Sequence, residues 1–243
     1  MSNEFGSSIP YELKYDIERA VKFTKKNNRE HSLTFCTLPG KSKIVTSSEA
    51  RGKFGSTEVK ACERKYGKST KIGDLHTHPT QSRSVLGTTP SEADFTANVV
   101  ESSQLKRRQT SCITSAGSRY IHCFIPKEVP DKSKVSQYKK ALKQPTHHNE
   151  TSPYFRENIG KDFSHTYYNR STLKLDKNPN IKDVVNDSFG KSKRGYRLSE
   201  IKEVEKGAFC DLMQDYNLPD SNQYSHTCRD ELKKRSFIGL FEY

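Results

Sequence analysis

The chain has 243 residues, of which 31% are hydrophobic, and it carries a formal net charge of +13. That length is enough for one sizeable core with an appended region, while the mean hydropathy of −0.91 leaves little further apolar material. No apolar run reaches the roughly eighteen residues of a membrane span, and residues 1–10 lack an apolar signal core. The sequence therefore predicts neither a transmembrane helix nor a signal peptide.

The positive charge is spread over the chain rather than collected in one block, because lysines alternate with acids along its whole length. This pattern predicts a solvated basic surface more than a dedicated nucleic-acid groove. No C-x-x-C pair is present, so we expect a cytoplasmic protein with free thiols, three of them small core residues in strand-like runs. The cysteines are Cys36, Cys62, Cys112, Cys123, Cys210 and Cys228, and the three in strand-like runs are Cys36, Cys112 and Cys123.

Hydrophobic periodicity predicts five elements in the first third of the chain, separated by turn residues such as Pro39-Gly40. In order, they are a helix over 10–27, a strand over 32–38, its hairpin partner over 43–47, a weakly helical stretch over 57–67 and a strand over 71–78. The polar stretch 80–88 follows and predicts a loop.

The next helix has a strong start signal: Thr89 can cap it, Pro90 suits its first position, and Glu92 lies where a capping-box acid belongs. We expect it to run to Leu105. Two more strands are predicted, over 109–114 and 120–125. Helices and strands mixed in this order predict an α/β or α+β fold, with a mixed sheet and flanking helices.

The composition changes after Pro130, so we predict a domain over 10–130 and a basic, polar, weakly structured accessory region over 131–243. One late helix is expected, over 199–216. Three further motifs are interpreted as solvated loops in preference to a ligand pair or a nucleic-acid contact: they are His147-His148, Tyr167-Tyr168 and the basic residues 191–197.

The residues with the clearest chemistry are His76, His78 and Asp94. Residues two apart in a strand point to one face, so His76 and His78 project together. Ser91 and Asp94, three apart at a helix start, share a face as well. If that helix start meets the strand end, two imidazoles and a carboxylate can hold zinc and leave a fourth position open, which is the catalytic arrangement. Ser-x-x-Asp is also a generic helix-start pattern. Because Thr89 and Glu92 are predicted to cap this helix, Ser91 and Asp94 are not needed as its capping pair.

Taken together, His76-Thr77-His78-Pro79 and Ser91-Glu92-Ala93-Asp94 resemble the H-x-H-P and S-x-x-D signature of the JAMM (MPN+) zinc metalloproteases. The resemblance covers residues 10–128 and extends to the order of the elements. It implies a cytidine-deaminase-like MPN architecture with Zn²⁺ held by His76, His78 and Asp94. The loop over 80–88 is about five residues longer than the family pattern.

The resemblance also implies catalytic roles. The family has a glutamate at the start of the first strand after an opening helix, and Glu30 occupies that position. It would accept a proton from the attacking water and pass it to the leaving amine, while Ser91 would donate to the developing oxyanion. The other candidates for this glutamate are Glu18, Glu49, Glu58 and Glu63.

The function expected from these residues is zinc-dependent hydrolysis of a peptide or isopeptide bond. The substrate would be a protein or peptide, with a ubiquitin-like conjugate or precursor as one candidate. Two alternatives remain open: a non-catalytic scaffold of MPN type, and a nucleic-acid-associated protein suggested by the basic charge.

Overall fold

The computed structural model describes residues 5–38, 43–53, 57, 60–62, 70–79, 88–144 and 152–176. Its helices are α1 (Lys14–Asn27), which follows a 3-10 turn at Tyr11–Leu13, α2 (Glu92–Gln104), α3 (Lys132–Leu142) and α4 (Pro153–Asp162). Its strands are β1 (His31–Thr37), β2 (Ile44–Arg51), β3 (Thr70–His78), β4 (Thr110–Ser115), β5 (Tyr120–Pro126), β6 (Phe163–Asn169) and β7 (Lys174–Leu175). Among these residues the strands form one sheet in the order β2-β1-β3-β4-β5-β6-β7.

The predicted mixed architecture of sheet and helices is confirmed. Strands β3 and β4 are parallel, while the other neighbouring pairs are antiparallel. Helix α1 forms where predicted and buries Ile17, Ala20 and Val21, and it ends at Asn28, whose φ of 52° is left-handed. The predicted hairpin is present as β1 and β2, although β2 continues to Arg51.

The sheet separates two hydrophobic clusters. On one face α1 covers the cluster that contains Leu33 and Leu75, which alternate with polar neighbours along their strands. On the other face the helices α2, α3 and α4 contribute to a second cluster, which contains Phe95 and Phe124. The polar residues that alternate with Leu33 and Leu75, which include Ser32, Thr34, Asp74 and His76, therefore face the side on which α2 lies.

Residues 131–176, predicted to belong to a weakly structured region, supply α3, α4, β6 and β7, and β6 pairs with β5 along its whole length. The sheet thus continues beyond the predicted boundary near residue 130. The interpretation of Tyr167-Tyr168 as a solvated loop is wrong, because both lie in β6 and Tyr168 is fully buried. The apolar side chains of this strand are aromatic rather than aliphatic, which is why its composition looked polar.

The prediction of free thiols is wrong for the four cysteines that the structure describes. Cys36 forms a disulfide with Cys62, and Cys112 forms one with Cys123. The second pair faces across neighbouring strands, where Cys112 of β4 is the register partner of Cys123 of β5. Sequence spacing could not show either pairing, because both depend on how the strands meet in space.

Several predicted features lie outside the described residues: the loop over 80–87, His147-His148, the basic residues 191–197 and the helix over 199–216. Of the predicted helical stretch 57–67, the structure describes Thr57 and residues 60–62, which are not helical. None of the described helices has the length and apolar character that crossing a membrane requires.

Candidate metal centre

His76 and His78 lie at the end of β3 and project to the same face of the sheet, as alternation predicts. Between them Thr77 points to the opposite face and is fully buried. Its hydroxyl contacts Thr24 of α1 and accepts a hydrogen bond from the backbone amide of His31 at 3.1 Å. Thr77 therefore fixes the end of β3 to α1 and β1, so the two imidazoles are held facing the helix α2.

The carboxylate comes from the first turn of α2, and here the capping prediction is wrong. Ser91, not Thr89, is the N-cap: its Oγ accepts a hydrogen bond from the amide of Asp94 at 3.2 Å, and the amide of Ser91 donates to Asp94 Oδ2 at 2.7 Å. Glu92 instead accepts a hydrogen bond from the amide of Ser152 through Oε1 at 2.5 Å. Two capping boxes overlap in this sequence, and only the one centred on Ser91 leads directly into the helix.

Helix α2 is tied to the sheet by a buried side chain one turn after Asp94. The amide nitrogen of Asn98 donates to the Gln109 carbonyl at 2.9 Å and to Ser111 Oγ at 2.8 Å. Since β4, which carries Ser111, is the parallel neighbour of β3, these bonds set the helix over the strand that carries the histidines. The carboxylate of Asp94 consequently lies beside both imidazoles.

The three predicted ligands meet. His76 Nε2 is 3.2 Å from Asp94 Oδ1, His78 Nε2 is 3.7 Å from Asp94 Oδ2, and the two Nε2 atoms are 3.2 Å apart. Three donors arranged tetrahedrally around zinc, at bond lengths near 2.1 Å, are separated by about 3.4 Å from one another. The separations are close to this value, with His76 and His78 nearest to different oxygens of Asp94. Two imidazoles with one carboxylate are a donor set that zinc accepts. This trio can hold a metal ion.

The electrostatics of the metal-free trio favour an imidazolium–carboxylate pair. Burial by itself raises the pKa of Asp94, but the charges and hydrogen bonds of His76 and His78 outweigh it and lower that pKa well below its usual range. Burial by itself lowers the pKa of His76, but the charge of Asp94, with smaller contributions from Glu30 and Asp74, raises it. A divalent cation would replace the proton that stabilises this pair.

Glu30 lies one residue before β1 and reaches the same site. Its backbone is paired with the end of β2, because its amide donates to the Lys53 carbonyl at 3.1 Å and its carbonyl accepts from the Gly52 amide at 2.8 Å. Its side chain, with Glu30 7% exposed, lines a cavity together with His76 and Asp94. Burial raises the pKa of Glu30, and the two imidazoles offset this only in part.

Of the other candidate glutamates, the two that the structure describes form ion pairs away from the site. Glu18 pairs with Arg170 at 3.3 Å, and Glu49 pairs with Arg19. Neither lines the cavity. The remaining rivals, Glu58 and Glu63, lie outside the described residues.

The cavity has a volume of about 850 Å³ and extends from the metal-ligand trio along β3. Beyond the trio its lining includes Asp74, which precedes His76 by two residues on the same face, and Glu101 of α2. Lys71 lies between these acids, 3.1 Å from Asp74 Oδ2 and 2.5 Å from Glu101 Oε1. This charged group was not predicted from the sequence. Alternation along β3 places Asp74, but Lys71 reaches this face only because a bulge at Ile72 shifts the register.

No protein-family model matches the chain, and no curated protein matches it. The description of the site therefore depends on its geometry.

Proposed function

We propose that this protein is a zinc-dependent hydrolase of JAMM type that cleaves a peptide or isopeptide bond. The observation that carries the proposal is the convergence of His76, His78 and Asp94 at zinc-ligand separations in a cavity that Glu30 also lines. A structural zinc site has four protein ligands, whereas the three ligands found among the described residues, beside an open cavity, suit catalysis. A second carboxylate next to such a trio is the group that hydrolysis requires as a base.

Zinc, when bound, supplies Lewis acidity, lowering the pKa of water to about 7 and polarising a carbonyl group. The protein supplies the proton transfers. The Glu30 carboxylate accepts a proton from the attacking water and delivers it to the nitrogen of the leaving amine. Because burial raises the pKa of Glu30, its carboxyl holds that proton more readily between the two transfers than an exposed glutamate would.

Ser91 is the proposed oxyanion donor, and it lines the same cavity. In the structure its hydroxyl donates to Asp94 Oδ2 at 2.8 Å. A serine hydroxyl has one proton to donate. The Ser91 hydroxyl would therefore have to rotate away from Asp94 to stabilise an oxyanion. The alternative role for this hydroxyl is to orient the Asp94 carboxylate.

The proposed substrate is a protein or peptide amide. A cavity of about 850 Å³ beside the trio is large enough for several side chains of an extended segment. A ubiquitin-like conjugate or precursor is the candidate that the resemblance to the JAMM family supplies.

The test combines metal analysis with a panel of ubiquitin-like conjugates and precursors, assayed with a chelator and after zinc is restored. Glu30→Gln should retain zinc and lose about 10²–10⁴-fold in hydrolysis, the range that general acid–base catalysis provides. Glu49→Gln is the matched control, because Glu49 lies outside the cavity, and it should keep its activity. Full activity of Glu30→Gln would remove this residue from the mechanism.

The same measurements separate the alternatives. Purified protein that neither contains nor takes up zinc would favour a non-catalytic scaffold. Binding to nucleic acid that weakens steeply as salt is raised would support the third possibility, which can coexist with hydrolysis.

A further inference from the structure

A short stretch runs along β1 and contributes Thr57 to the lining of the cavity. It is here called the wall segment and is defined by Thr57 and residues 60–62. Three residues of β1 hold it. Thr57 Oγ1 lies 3.4 Å from Ser32 Oγ, Thr34 Oγ1 donates to the Lys60 carbonyl at 2.7 Å, and Cys36 is bonded to Cys62. These anchors are two residues apart in β1, so all three project from one face of the strand.

That face is the one on which the metal-ligand trio lies. In the register of β1 and β3, Ser32 is opposite His76 and Thr34 is opposite Asp74. Side chains of directly opposed residues project to the same side of a sheet. The wall segment therefore lies over the sheet beside His76, and Thr57 lines the cavity directly. Helix α2 lines the cavity through residues such as Ala97 and Glu101.

Among the described contacts between the wall segment and β1, one is covalent. Of the two hydrogen bonds that join described residues of the wall segment to β1, the one from Thr34 Oγ1 to the Lys60 carbonyl has an ordinary length, whereas Thr57 Oγ1 and Ser32 Oγ are 3.4 Å apart. The disulfide is the third anchor, and its two halves differ in access, since Cys36 is fully buried whereas Cys62 is half-buried. Cys62 is therefore the more exposed half of the bond, and an external thiol is expected to attack there.

We propose that the bond between Cys36 and Cys62 is a redox control on the cavity: the disulfide fixes the wall segment against β1, and reduction releases it and alters substrate binding. This regulation rests on the proposed function, since it concerns the cavity beside the same metal-ligand trio. It does not concern the trio itself, because Cys36 is the register partner of Lys71, whereas His76 is opposite Ser32 at the other end of β1.

The step is a two-electron thiol–disulfide exchange with a dithiol reductant. A thiolate of the reductant attacks the Cys62 sulfur, the bond between the two protein sulfurs breaks, and the Cys36 thiolate leaves and takes up a proton. The second thiol of the reductant then displaces Cys62, which takes up the other proton. The reductant is oxidised to its own disulfide, and the protein gains two thiols.

The second disulfide provides a matched control. Cys112 and Cys123 are opposed on neighbouring strands, so breaking their bond leaves both residues held by the sheet. We therefore expect it to affect the stability of the sheet without moving the wall segment.

The experiment uses the full-length, zinc-loaded protein in oxidised form and after reduction with a phosphine, because thiols themselves bind zinc. Hydrogen exchange is measured over a peptide spanning residues 57–62, together with the Kd of acetohydroxamate and of a tripeptide hydroxamate long enough to reach along the cavity. Reduction should raise exchange in the wall segment at least tenfold and change the Kd of the longer probe at least tenfold. The Kd of acetohydroxamate and the zinc content should stay the same.

The double variant Cys36→Ser/Cys62→Ser should behave as the reduced protein under both conditions, and Cys112→Ala/Cys123→Ala should still respond to the phosphine. If Cys112→Ala/Cys123→Ala fails to fold, Cys36→Ser/Cys62→Ser serves as the control. It keeps the bond between Cys112 and Cys123, so the absence of a response to the phosphine in this variant shows that reducing that bond does not move the wall segment. Unchanged exchange over residues 57–62 on reduction would overturn the proposal. A response that persists without Cys36 and Cys62 would overturn it too. Failure to bind zinc would instead remove the proposed function, and the exchange measurement would still decide whether the disulfide holds the wall segment.

Discussion

The side chain of Ser91 both caps helix α2 and binds the carboxylate of Asp94. Its Oγ accepts from the Asp94 amide at 3.2 Å and donates to Asp94 Oδ2 at 2.8 Å. The residue that starts the helix therefore also orients a member of the metal-ligand trio, which couples local helix stability to the geometry of the site.

Replacing Ser91 by alanine tests this coupling. The loss of the cap should cost about 0.5–2 kcal/mol of unfolding free energy. Because the ligating carboxylate loses one of its two hydrogen-bond donors from Ser91, zinc affinity should also fall by about 10–100-fold. Denaturant unfolding gives the first quantity and competition titration with a zinc chelator gives the second.

The controls for this prediction are Ser91→Thr, which keeps a hydroxyl at the cap, and Thr89→Ala, which removes the residue that does not cap. Both should bind zinc as the wild type does. If Ser91→Ala binds zinc normally but lowers kcat by about 10²–10³-fold, the hydroxyl acts on the oxyanion rather than on Asp94.

The local parts of the fold and site could be predicted from the sequence. The placement of His76 and His78 on one face followed from alternation in a strand, and the helix that carries Asp94 followed from its own periodicity, although its predicted N-cap was wrong. The prediction of Glu30 depended on the resemblance to the JAMM family, which has a glutamate at this position. In the structure the residue lines the same cavity as the trio.

What could not be predicted depends on contacts between distant segments. Two capping boxes overlap at the start of α2, and local pattern could not decide between them because Glu92 is used by the remote amide of Ser152. The pairing of Cys36 with Cys62 and the turn of Lys71 to the cavity side depend on strand register and on a bulge. Neither leaves a periodic signal in the sequence.

Zinc affinity should fall as the pH is lowered through the pKa of His76, which lies above the ordinary 6.5 in the metal-free protein. Burial acts against this shift, and the charge of Asp94 outweighs it. Because its pKa is raised above 6.5, His76 is more than half protonated at pH 6.5, and zinc must displace that proton. Calorimetric titration in buffers of different ionisation enthalpy should show proton release on zinc binding. Binding without proton release at pH 6.5 would contradict the pairing of His76 with Asp94.

The same pair makes the stability of the metal-free protein depend on pH. The raised pKa of His76 stabilises the fold below pH 6.5, and this stability is lost as the pH rises through the folded value. The lowered pKa of Asp94 stabilises it above pH 3.8, and this stability is lost as the pH falls through the folded value. The free energy lost in Asp94→Asn should therefore be largest between pH 3.8 and pH 6.5 and should become smaller once the pH exceeds the folded pKa of His76, as measured by denaturant unfolding.

Lys71 should be needed for stability because it lies between two carboxylates. Lys71 and Asp74 are 6% and 3% exposed, so Lys71→Met leaves a buried charge without its partner and should cost about 3–5 kcal/mol. Lys22→Met, at an exposed position of α1, is the control and should change stability by no more than about 0.5 kcal/mol. Adding Asp74→Asn and Glu101→Gln to Lys71→Met should recover much of the loss. No recovery in the triple variant would mean that Lys71 acts through packing rather than charge.

Gly73 should be irreplaceable because β3 and β4 approach closely beside it. A Cβ at this position would lie 2.7 Å from the carbonyl oxygen of Thr110, which is backbone and has little freedom to move aside. Gly73→Ala should therefore destabilise the protein by at least about 1–3 kcal/mol through overpacking. Because Gly73 lies three residues before His76 in β3, the strand displacement should also weaken zinc binding.

The matched control is Gly6→Ala, since a Cβ there would meet no atom within 4 Å. Removing the extra backbone freedom of a glycine at a compatible position is neutral or stabilises by roughly 0.4–1 kcal/mol, so this variant should unfold at the same or a higher denaturant concentration. Equal midpoints for the two variants would show that β3 and β4 can separate without cost. In that case the parallel pairing of Gly73 with Thr110 would not be what positions the histidines.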